Sequence, residues 1–355
     1  MSTAELDTSI ARSADASSID RPSGTIWLWA GLGLAVIGLM IHSWGGWLTD
    51  GSTGRPSPGA DHYDFLWALR GTEIVSTGVF FGLLWWSLIN PLIRQRGLTF
   101  DGKLFLAGFF VSSLDVLYAS LNPTWAMNAH AVSLGTWSEH MPLFANPGQD
   151  ENAWGLLWCL PAYIWLGLGA AVVGTAILNG LRRRYSGLST AGLYLITLTI
   201  FYVVFALVEN FWLRTQVYDY VSVPRDFTLW AGQIHQFPVY SPLLISFYCL
   251  GYTWLRDSRD ANDRCAVDRD VDKLNIGPVA RAALSLLAIT GFAATTTILG
   301  YQVPWSLMSM KGDSFPVLPS YLRPGENCGQ PGTPLCTSQY LYELRHHPSE
   351  LPTVK

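Results

Sequence analysis

Long apolar segments without charged side chains constrain this chain more than any other feature. The segment from Ile26 to Thr49 contains no Asp, Glu, Lys or Arg, and six further segments qualify or nearly qualify as apolar spans. A helix needs about 20 apolar residues to cross a bilayer core about 30 Å thick. Only 14% of the residues are charged, whereas soluble domains carry about a quarter. The sequence therefore predicts an integral membrane protein, and it excludes a disordered chain, a basic nucleic-acid-binding domain and an ordinary soluble enzyme.

These segments predict an all-α integral membrane protein built as a bundle of about seven transmembrane helices. Their expected bounds are Ile26 to Thr49, Gly71 to Ile93, Lys103 to Leu121, Trp154 to Leu178, Thr190 to Leu213, a span within Phe227 to Leu255, and Pro278 to Gly300. We expect the sixth span to be entered through the broken stretch 233–238. We expect residues 1–25 to form a disordered cytoplasmic tail, residues 26–300 the transmembrane domain with a long outer loop at 122–153, and residues 301–355 an extracytoplasmic tail.

Basic residues are distributed unequally between the two sides of the predicted bundle. With the N-terminus in the cytoplasm, 14 of the 22 Lys and Arg residues lie on the cytoplasmic side, and the outer loop 122–153 contains none. Basic residues concentrate on the cytoplasmic side of membrane proteins. This predicts a multi-pass protein of the cell membrane with a cytoplasmic N-terminus and an outside C-terminus. Long loops are often lids, and we expect this one to fold over the outer mouth of the bundle.

Two cysteines, Cys328 and Cys336, lie close together in a Pro/Gly-rich stretch of the C-terminal tail. The predicted topology puts this tail on the oxidising side of the membrane, where disulfides persist. We therefore expect a disulfide between them, the alternative being two free thiols. Their spacing matches no zinc motif, and no metal site is predicted.

Ionisable side chains inside predicted spans are costly and are therefore candidate functional residues. They are Glu73, Asp115, Glu209 and His235, with His42 near the end of the first span, and the predicted topology puts all five in the outer half of the membrane. Asp115 is the deepest and has no basic neighbour in the sequence, so it needs a partner from another helix or a proton. We predict that the first four residues are catalytic.

Three of these residues also have a structural explanation. Arg70 and Glu73 are three residues apart on a helix and could pair at the membrane interface. Glu209 could pair with Arg214 at the membrane edge. His235 could be a loop residue that is hydrogen-bonded to carbonyl groups. The sequence leaves these alternatives open.

Hydroxyl, amide and basic side chains near the carboxyl groups are the candidate substrate contacts. Tyr118 lies three residues after Asp115, and Tyr202 lies seven residues before Glu209 on the same helix face. An interfacial aromatic belt is the alternative explanation for such tyrosines. The remaining candidates are Arg70, Asn210, Gln233, Gln236 and Tyr240.

Common cofactor and catalytic motifs are absent from the sequence. It contains no Walker loop, no Cys-x-x-Cys pair, no Gly-x-Ser-x-Gly elbow and no His-Glu-x-x-His motif. We therefore predict an activity that uses no cofactor.

Three stretches carry a resemblance to a known family. They are Arg70-Gly71-Thr72-Glu73, Val208-Glu209-Asn210 and Gly232-Gln233-Ile234-His235-Gln236-Phe237-Pro238-Val239-Tyr240. Together with the arrangement of spans, they resemble the AveC-type spirocyclases, a family of actinobacterial membrane proteins, over roughly Trp27 to Leu255. The resemblance implies that a polyketide is closed to a spiroketal, in some members with loss of water. It brings no compact catalytic motif, so the candidate site rests on the residues themselves.

Spiroketal formation is chemistry that membrane-embedded carboxyl groups can perform. A dihydroxyketone closes through a hemiketal that loses water as an oxocarbenium ion. The reaction needs an acid, an anion that stabilises the cation, and a base. We predict Asp115 as the acid, Glu209 as the stabilising carboxylate, and Glu73 or His235 as the base. The expected partners are a hydrophobic small-molecule substrate and the lipid bilayer, without nucleic acid.

Two other functions are compatible with the same features. An integral-membrane terpene cyclase also uses a protonated carboxyl group and aromatic walls to control a carbocation. A small transporter or lipid-binding protein would use the carboxylates to relay protons or to pair with the head group of its cargo.

Overall fold

The computed structural model describes residues 24–51, 53–54, 56, 58–94, 97–117, 124–142 and 153–322. Within these ranges the chain forms seven long helices: α1 (Thr25–Thr49), α2 (Leu66–Ile93), α3 (Phe100–Ser112), α4 (Cys159–Arg184), α5 (Thr190–Arg214), α6 (Ser241–Asp257) and α7 (Pro278–Met310). All of these except α3 and α6 are long and apolar enough to cross a membrane. The prediction of an all-α membrane bundle is confirmed.

Helix α3 is shorter than the sequence predicts. The expected span extends to Leu121, but the helix ends at Ser112 and is followed by turns as far as Leu117. The hydroxyl groups of Ser112 and Ser113 bond back to backbone carbonyl oxygens three residues earlier, at 2.6 and 2.7 Å. Bonds of this kind compete with helical hydrogen bonding, which explains the early end of the helix.

Helix α6 begins at Ser241, inside the predicted range Phe227 to Leu255, and ends at Asp257, two residues beyond that range. The preceding segment, which was expected to enter the span, forms a hairpin in which β3 (Thr228–Leu229) pairs with β4 (Phe237–Pro238). A proline disfavours the helical conformation of the residue before it, so Pro238 holds the chain extended. Pro242 lies in the first turn of α6, where its missing N–H has no helical partner to lose.

Helix α7 continues beyond its predicted end at Gly300 and reaches Met310. Pro304 lies in this extension, where a proline would ordinarily break an α-helix. It follows directly after a wider π-helical turn at Ile298–Gln302, and the helix then resumes. Residues 301–310 therefore belong to the helix and not to the predicted tail.

Three helices contain a π-helical turn within the described chain. These turns lie at Trp85–Ile89 in α2, Trp165–Gly169 in α4 and Ile298–Gln302 in α7. Such turns shift the register of a helix and occur frequently at functional sites. The turns of α4 and α7 each carry a residue, Leu166 and Tyr301, that lines the same internal cavity.

Close helix packing in the bundle depends on small residues. Helix α7 packs against α1 and α3, while α6 packs against α4 and α5. A Cβ atom at Gly33 would overlap the carbonyl oxygen of Leu287, and one at Gly291 would overlap that of Trp29. Membrane helices use small residues in this way because van der Waals packing contributes much of their association. The two glycines therefore set the distance between α1 and α7.

Ion pairs join the helix ends on the predicted cytoplasmic side. Arg256, near the end of α6, makes two hydrogen bonds to Asp101 of α3, at 2.9 and 3.1 Å. Arg182 of α4 makes two hydrogen bonds to Asp257, at 2.7 and 2.6 Å. Arginine–carboxylate pairs with two parallel bonds fix relative orientation as well as distance. These pairs hold α3, α4 and α6 together at one end.

The outer loop returns onto the bundle in the part that the structure describes. Its strand β1 (Trp125–Met127) pairs antiparallel with β2 (Tyr218–Tyr220), which follows α5 directly. Trp125 lies opposite Tyr220, and Met127 lies opposite Tyr218. The described part of the outer loop therefore packs against the end of α5.

We expect Gly33→Ala to lower the melting temperature of the purified protein, because its Cβ atom would meet backbone of α7. Gly31→Ala is the matched control on the same helix, since nothing lies within 4 Å of its Cβ position. Alanine favours a helix over glycine, so this control is expected to be neutral or slightly stabilising. Equal melting temperatures for both variants would contradict the close approach of α1 and α7.

The predicted topology is testable by cysteine labelling. Cys159, Cys249 and Cys265 are buried, and a Cys328→Ser/Cys336→Ser background removes the two remaining native thiols, so this background serves as the control. Ser186→Cys lies in the exposed loop between α4 and α5, and Asp226→Cys lies in the exposed turn before β3. We expect a membrane-impermeant maleimide to label Asp226→Cys in intact cells and Ser186→Cys only after permeabilisation. The reverse pattern would show that the orientation is wrong.

Candidate active site

Asp115 lies in the turn that follows α3 and is 3% exposed. Its Oδ1 atom accepts a hydrogen bond from the hydroxyl group of Tyr163 in α4 at 2.5 Å. Its Oδ2 atom accepts one from the indole N–H of Trp154. A buried carboxylate is costly without such donors, and hydrogen bonds to an ionised group are the strong ones. The partner expected from another helix is therefore Tyr163.

Asp115 forms part of the wall of a small internal cavity of about 60 Å³. The wall is formed by the end of α3, strand β1 and helices α4, α6 and α7, through Asp115, Trp125, Met127, Cys159, Ala162, Tyr163, Leu166, Ile245, Tyr248 and Tyr301. Asp115 is the one carboxyl group in this set. Because the lining is mainly apolar and aromatic, a charge that develops in the cavity would interact strongly with Asp115.

Glu209 lies near the end of α5 and is 1% exposed. Its Oε1 atom accepts hydrogen bonds from the hydroxyl groups of Tyr218 at 3.0 Å, Ser241 at 2.5 Å and Tyr220. Tyr218 and Tyr220 alternate along strand β2, so both rings point to the same face. Its Oε2 atom is buried and has no hydrogen-bond partner among the described residues. One oxygen of Glu209 is therefore fully bonded, and the other is available to a proton or a ligand.

An aromatic cluster, defined here as Trp125, Tyr218, Tyr220, Tyr301 and Trp305, adjoins both carboxyl groups. The ring of Trp125 lies 5.9 Å from that of Tyr218, 6.2 Å from that of Tyr220, 6.5 Å from that of Tyr301 and 6.1 Å from that of Trp305. Tyr301 is close enough to both Asp115 and Glu209 to interact with each electrostatically. Trp125 and Tyr301 line the cavity beside Asp115, and Tyr218 and Tyr220 donate to Glu209, so the structure brings both predicted residues to one cluster.

Glu73 has a structural environment that differs from that of the other two carboxyl groups. Its Oε2 atom pairs with the guanidinium group of Arg70, and its Oε1 atom accepts a hydrogen bond from the backbone N–H of Val132 at 2.6 Å. Arg70 also donates to the carbonyl oxygen of His130 at 3.0 Å. The pairing of Arg70 with Glu73, given above as the structural alternative, is therefore present. Both residues hold the outer loop against α2.

His235 lies in the β3–β4 hairpin and not in a helix. Its ring lies 5.8 Å from that of Trp230, over which the guanidinium group of Arg214 stacks at 4.3 Å. Partial burial and the charge of Arg214 lower the pKa of His235. Among the described residues, no hydrogen bond joins it to Asp115 or Glu209. Arg214 binds Trp230 and is not the partner of Glu209.

Gln236 joins the hairpin to the carboxyl site. Its side-chain amide donates to the carbonyl oxygen of Tyr220 at 2.7 Å, and its Oε1 atom accepts from the hydroxyl group of Ser314 at 2.9 Å and from the backbone N–H of Gly232 at 3.1 Å. Gln233 is exposed on the same hairpin. Gln236 therefore positions strand β2, whereas Gln233 has no contact with the two carboxyl groups among the described residues.

The remaining predicted substrate contacts have different positions. Tyr202 donates to the carbonyl oxygen of Val239 at 3.3 Å, and Asn210 is half-buried next to Glu209. The Tyr240 hydroxyl group is buried without a hydrogen-bond partner in the described chain, and its ring lies 5.0 Å from that of Trp305. Tyr118, Cys328 and Cys336 lie outside the described residues. His42 is exposed on α1.

The site predicted from the sequence does not include the side chains that donate hydrogen bonds to Asp115 and Glu209. They are Trp154, Tyr163, Tyr218, Tyr220 and Ser241. The available signal was a tyrosine inside an apolar span and two tyrosines at strand spacing directly after α5. Tyrosines are common near membrane interfaces for other reasons, so this signal alone does not identify them.

One group of possible metal ligands occurs among the described residues. Ligand atoms of Asp50, Glu139 and His140 lie within 4.8 Å of one another, and His140 Nε2 lies 2.5 Å from the carboxylate of Asp50. Asp50 and Glu139 are exposed. Exposed acidic clusters form hydrogen-bonded pairs of this kind without a metal, and we assign none here.

Comparison with protein families gives a match. The family model described as "Spirocyclase AveC-like" matches residues 95–318, which include α3 to α7, both carboxyl groups and the aromatic cluster. The Arg70-Gly71-Thr72-Glu73 stretch lies before the matched region, whereas the match extends beyond Leu255. No curated protein and no solved structure matches the chain.

We expect Arg70→Met to lower the melting temperature, because it leaves the buried carboxylate of Glu73 without its charge partner. Glu73→Gln removes this charge and keeps an oxygen that can accept from Val132. The double variant Arg70→Met/Glu73→Gln should therefore recover part of the loss. A thermal melt of the wild type, both single variants and the double variant measures the coupling. Strictly additive losses would show that the pair is not coupled.

Proposed function

Because the chain belongs to the AveC-like spirocyclase family, we propose that it closes a hydrophobic dihydroxyketone of polyketide type to a spiroketal. The protein is a multi-pass membrane protein of cyclase type, and we propose the cell membrane as its location. The observation that carries the proposal is that Asp115 and Glu209 both adjoin one aromatic cluster, with Asp115 on a cavity wall.

The reaction loses one water and proceeds in two ring closures. The first hydroxyl group adds to the ketone carbon, which gives a hemiketal whose hydroxyl oxygen comes from the ketone. Protonation of that hydroxyl group breaks its C–O bond, and water leaves with formation of an oxocarbenium ion. The second hydroxyl group then attacks the cationic carbon and releases a proton. No atom changes oxidation state overall, so the chemistry requires no redox cofactor.

Asp115 suits both proton transfers. In its protonated form it donates to the leaving hydroxyl group. The carboxylate that results is stabilised by the hydroxyl group of Tyr163 and the indole N–H of Trp154. This carboxylate faces the oxocarbenium ion and takes the proton of the attacking hydroxyl group, which regenerates the acid. A single carboxyl group thus acts as acid and then as base, so the proposal requires neither Glu73 nor His235 as base.

Glu209 suits the role of a second negative charge near the cation. Three hydroxyl groups donate to its Oε1 atom and stabilise the carboxylate. The faces of the aromatic cluster carry partial negative charge and stabilise cations by about 0.5–2 kcal/mol each. In a site without bulk water, these fixed groups replace the solvation that the oxocarbenium ion would otherwise require.

The reaction type is tested with the purified protein and a synthetic long-chain dihydroxyketone. We expect a product lighter by one water, with one stereoisomer in excess over the uncatalysed background. Isotopic labelling of the ketone oxygen should leave the label in the released water. A product lighter by a further water would indicate an accompanying dehydration. An isomer of unchanged mass with a new carbon–carbon bond, as distinct from the hemiketal, would support a terpene-type cyclase, and an unaltered compound that crosses vesicle membranes would support transport.

We expect Asp115→Asn to lower kcat by about a hundredfold or more, because the amide can neither donate nor accept the transferred proton. Glu209→Gln should reduce kcat less, by about tenfold, since it removes a charge that acts at a distance. Glu73→Gln should retain most of its activity per folded protein. The comparison is made by mass spectrometry of the product over time.

Two outcomes would contradict this mechanism. Wild-type kcat for Asp115→Asn would exclude Asp115 as the acid. A loss in Glu73→Gln as large as that in Asp115→Asn would identify Glu73 as the base and exclude the single-carboxyl mechanism. Size-exclusion profiles and melting temperatures of all three variants distinguish lost chemistry from lost folding.

A further inference from the structure

A groove of about 670 Å³ lies between helices α2, α4 and α5. It is more than ten times larger than the cavity beside Asp115. Its lining is largely apolar, and side chains such as Val75, Val173 and Val204 are exposed along it. Because all three helices have the length and composition of membrane spans, the groove opens toward the hydrocarbon region of the bilayer.

Tryptophan rings form the inner wall of this groove. Trp165 and Trp212 line it, with ring centroids 6.2 Å apart. The ring of Trp212 lies 5.7 Å from that of Trp158 and 6.2 Å from that of Tyr218, whose hydroxyl group donates to Glu209. One layer of aromatic rings therefore separates the groove from the carboxyl site.

The π-helical turn of α4 separates the groove from the cavity. Trp165 lines the groove, whereas the next residue, Leu166, lines the cavity together with Tyr163. The wall between the two spaces is therefore no thicker than one helix. A π-helical turn lacks the regular hydrogen-bond register of the helix and is a common point of local adjustment.

Polar atoms at the inner wall indicate a ligand that carries oxygen. The indole N–H group of Trp165, which lines the groove, is buried and has no hydrogen-bond partner among the described residues. Thr72 lines the groove and accepts a hydrogen bond from the indole N–H of Trp212 at 3.1 Å. Buried donors are normally satisfied, and a lipid acyl chain offers them no acceptor. A hydroxyl or carbonyl oxygen of a substrate would accept such a hydrogen bond.

The volumes of the groove and of the cavity beside Asp115 indicate that one ligand occupies both. The cavity accommodates only a few atoms, so the rest of a polyketide-sized molecule needs another space. We propose that the groove binds the apolar chain of the substrate, which reaches Asp115 from the bilayer by passing the wall formed by Trp165 and Trp212. The inference rests on the proposed function, and it assigns the substrate class as a membrane-dissolved ketone with a long apolar chain.

Two adjacent valines of α5 provide a matched test. Val204 lines the groove and Val203 does not, although their side chains are 47% and 51% exposed. We expect Val204→Trp to raise KM for a long-chain dihydroxyketone about tenfold, which corresponds to excluding roughly two methylene groups from the groove. Its kcat should not change, and neither should its kcat/KM for a short-chain analogue. Val203→Trp should behave as the wild type with both compounds.

Photolabelling tests the groove without turnover. A long-chain dihydroxyketone with a diazirine near the end of its chain should label peptides of α2, α4 and α5. Excess unlabelled dihydroxyketone should abolish the labelling, whereas the same excess of phospholipid should not. Val204→Trp should reduce the labelling, and Val203→Trp should not.

The outcomes separate this inference from the proposed function. Equal kinetics of the two tryptophan variants, with full turnover, would overturn the groove assignment and leave the cyclase function standing. Labelling that phospholipid displaces as well as the dihydroxyketone would show that the groove holds lipid, and would also overturn it. Competable groove labelling without any cyclised product would support the binding site and overturn the proposed reaction.

Discussion

The burial of carboxyl groups in an apolar bundle is the constraint on which the rest of this structure depends. Asp115 and Glu209 are almost fully removed from solvent, and a carboxylate in that position must find hydrogen-bond donors within the protein. A membrane helix has few donors to offer, because its own backbone N–H groups are already bonded. The donors therefore come from other segments, including strand β2 and the start of α6. The pairing of β1 with β2 and the hairpin that Gln236 ties to Tyr220 hold these donors in place.

Hydropathy predicted the helices well where nothing local competes with it. Helices α1 and α5 lie within one residue of their expected bounds, because both are long, uncharged over most of their length and free of proline. The predictions differ where local chemistry dominates. Backbone-directed serines end α3, Pro238 keeps the chain before α6 extended, and a π-helical turn lets α7 continue through Pro304. An average over some twenty residues does not detect such single-residue effects.

The carboxyl groups of the site could be predicted, whereas their surroundings could not. Asp115 and Glu209 stand out because a charge inside an apolar span is expensive. The same rule selects Glu73, and only its spacing from Arg70 indicates that an ion pair accounts for its burial. Their aromatic partners are ambiguous, since tyrosine and tryptophan occur throughout membrane proteins. Tyr163 and Tyr218 can be recognised as site residues only in the folded structure, where their hydroxyl groups donate to a carboxylate.

The aromatic residues around the carboxyl groups bear both on the proposed reaction and on the route by which a substrate would enter. A cation formed in water is solvated at once, whereas a cation formed in a small aromatic cavity is stabilised only by groups that folding has already oriented. Such a cavity must exclude water, and Trp125, which lines it, is packed against the ring of Trp305. A hydrophobic molecule is most concentrated in the bilayer, and the π-helical turn that carries Trp165 and Leu166 lines both the lipid-facing groove and the cavity. Excluding water and admitting a substrate from the lipid are therefore two consequences of one arrangement of aromatic rings.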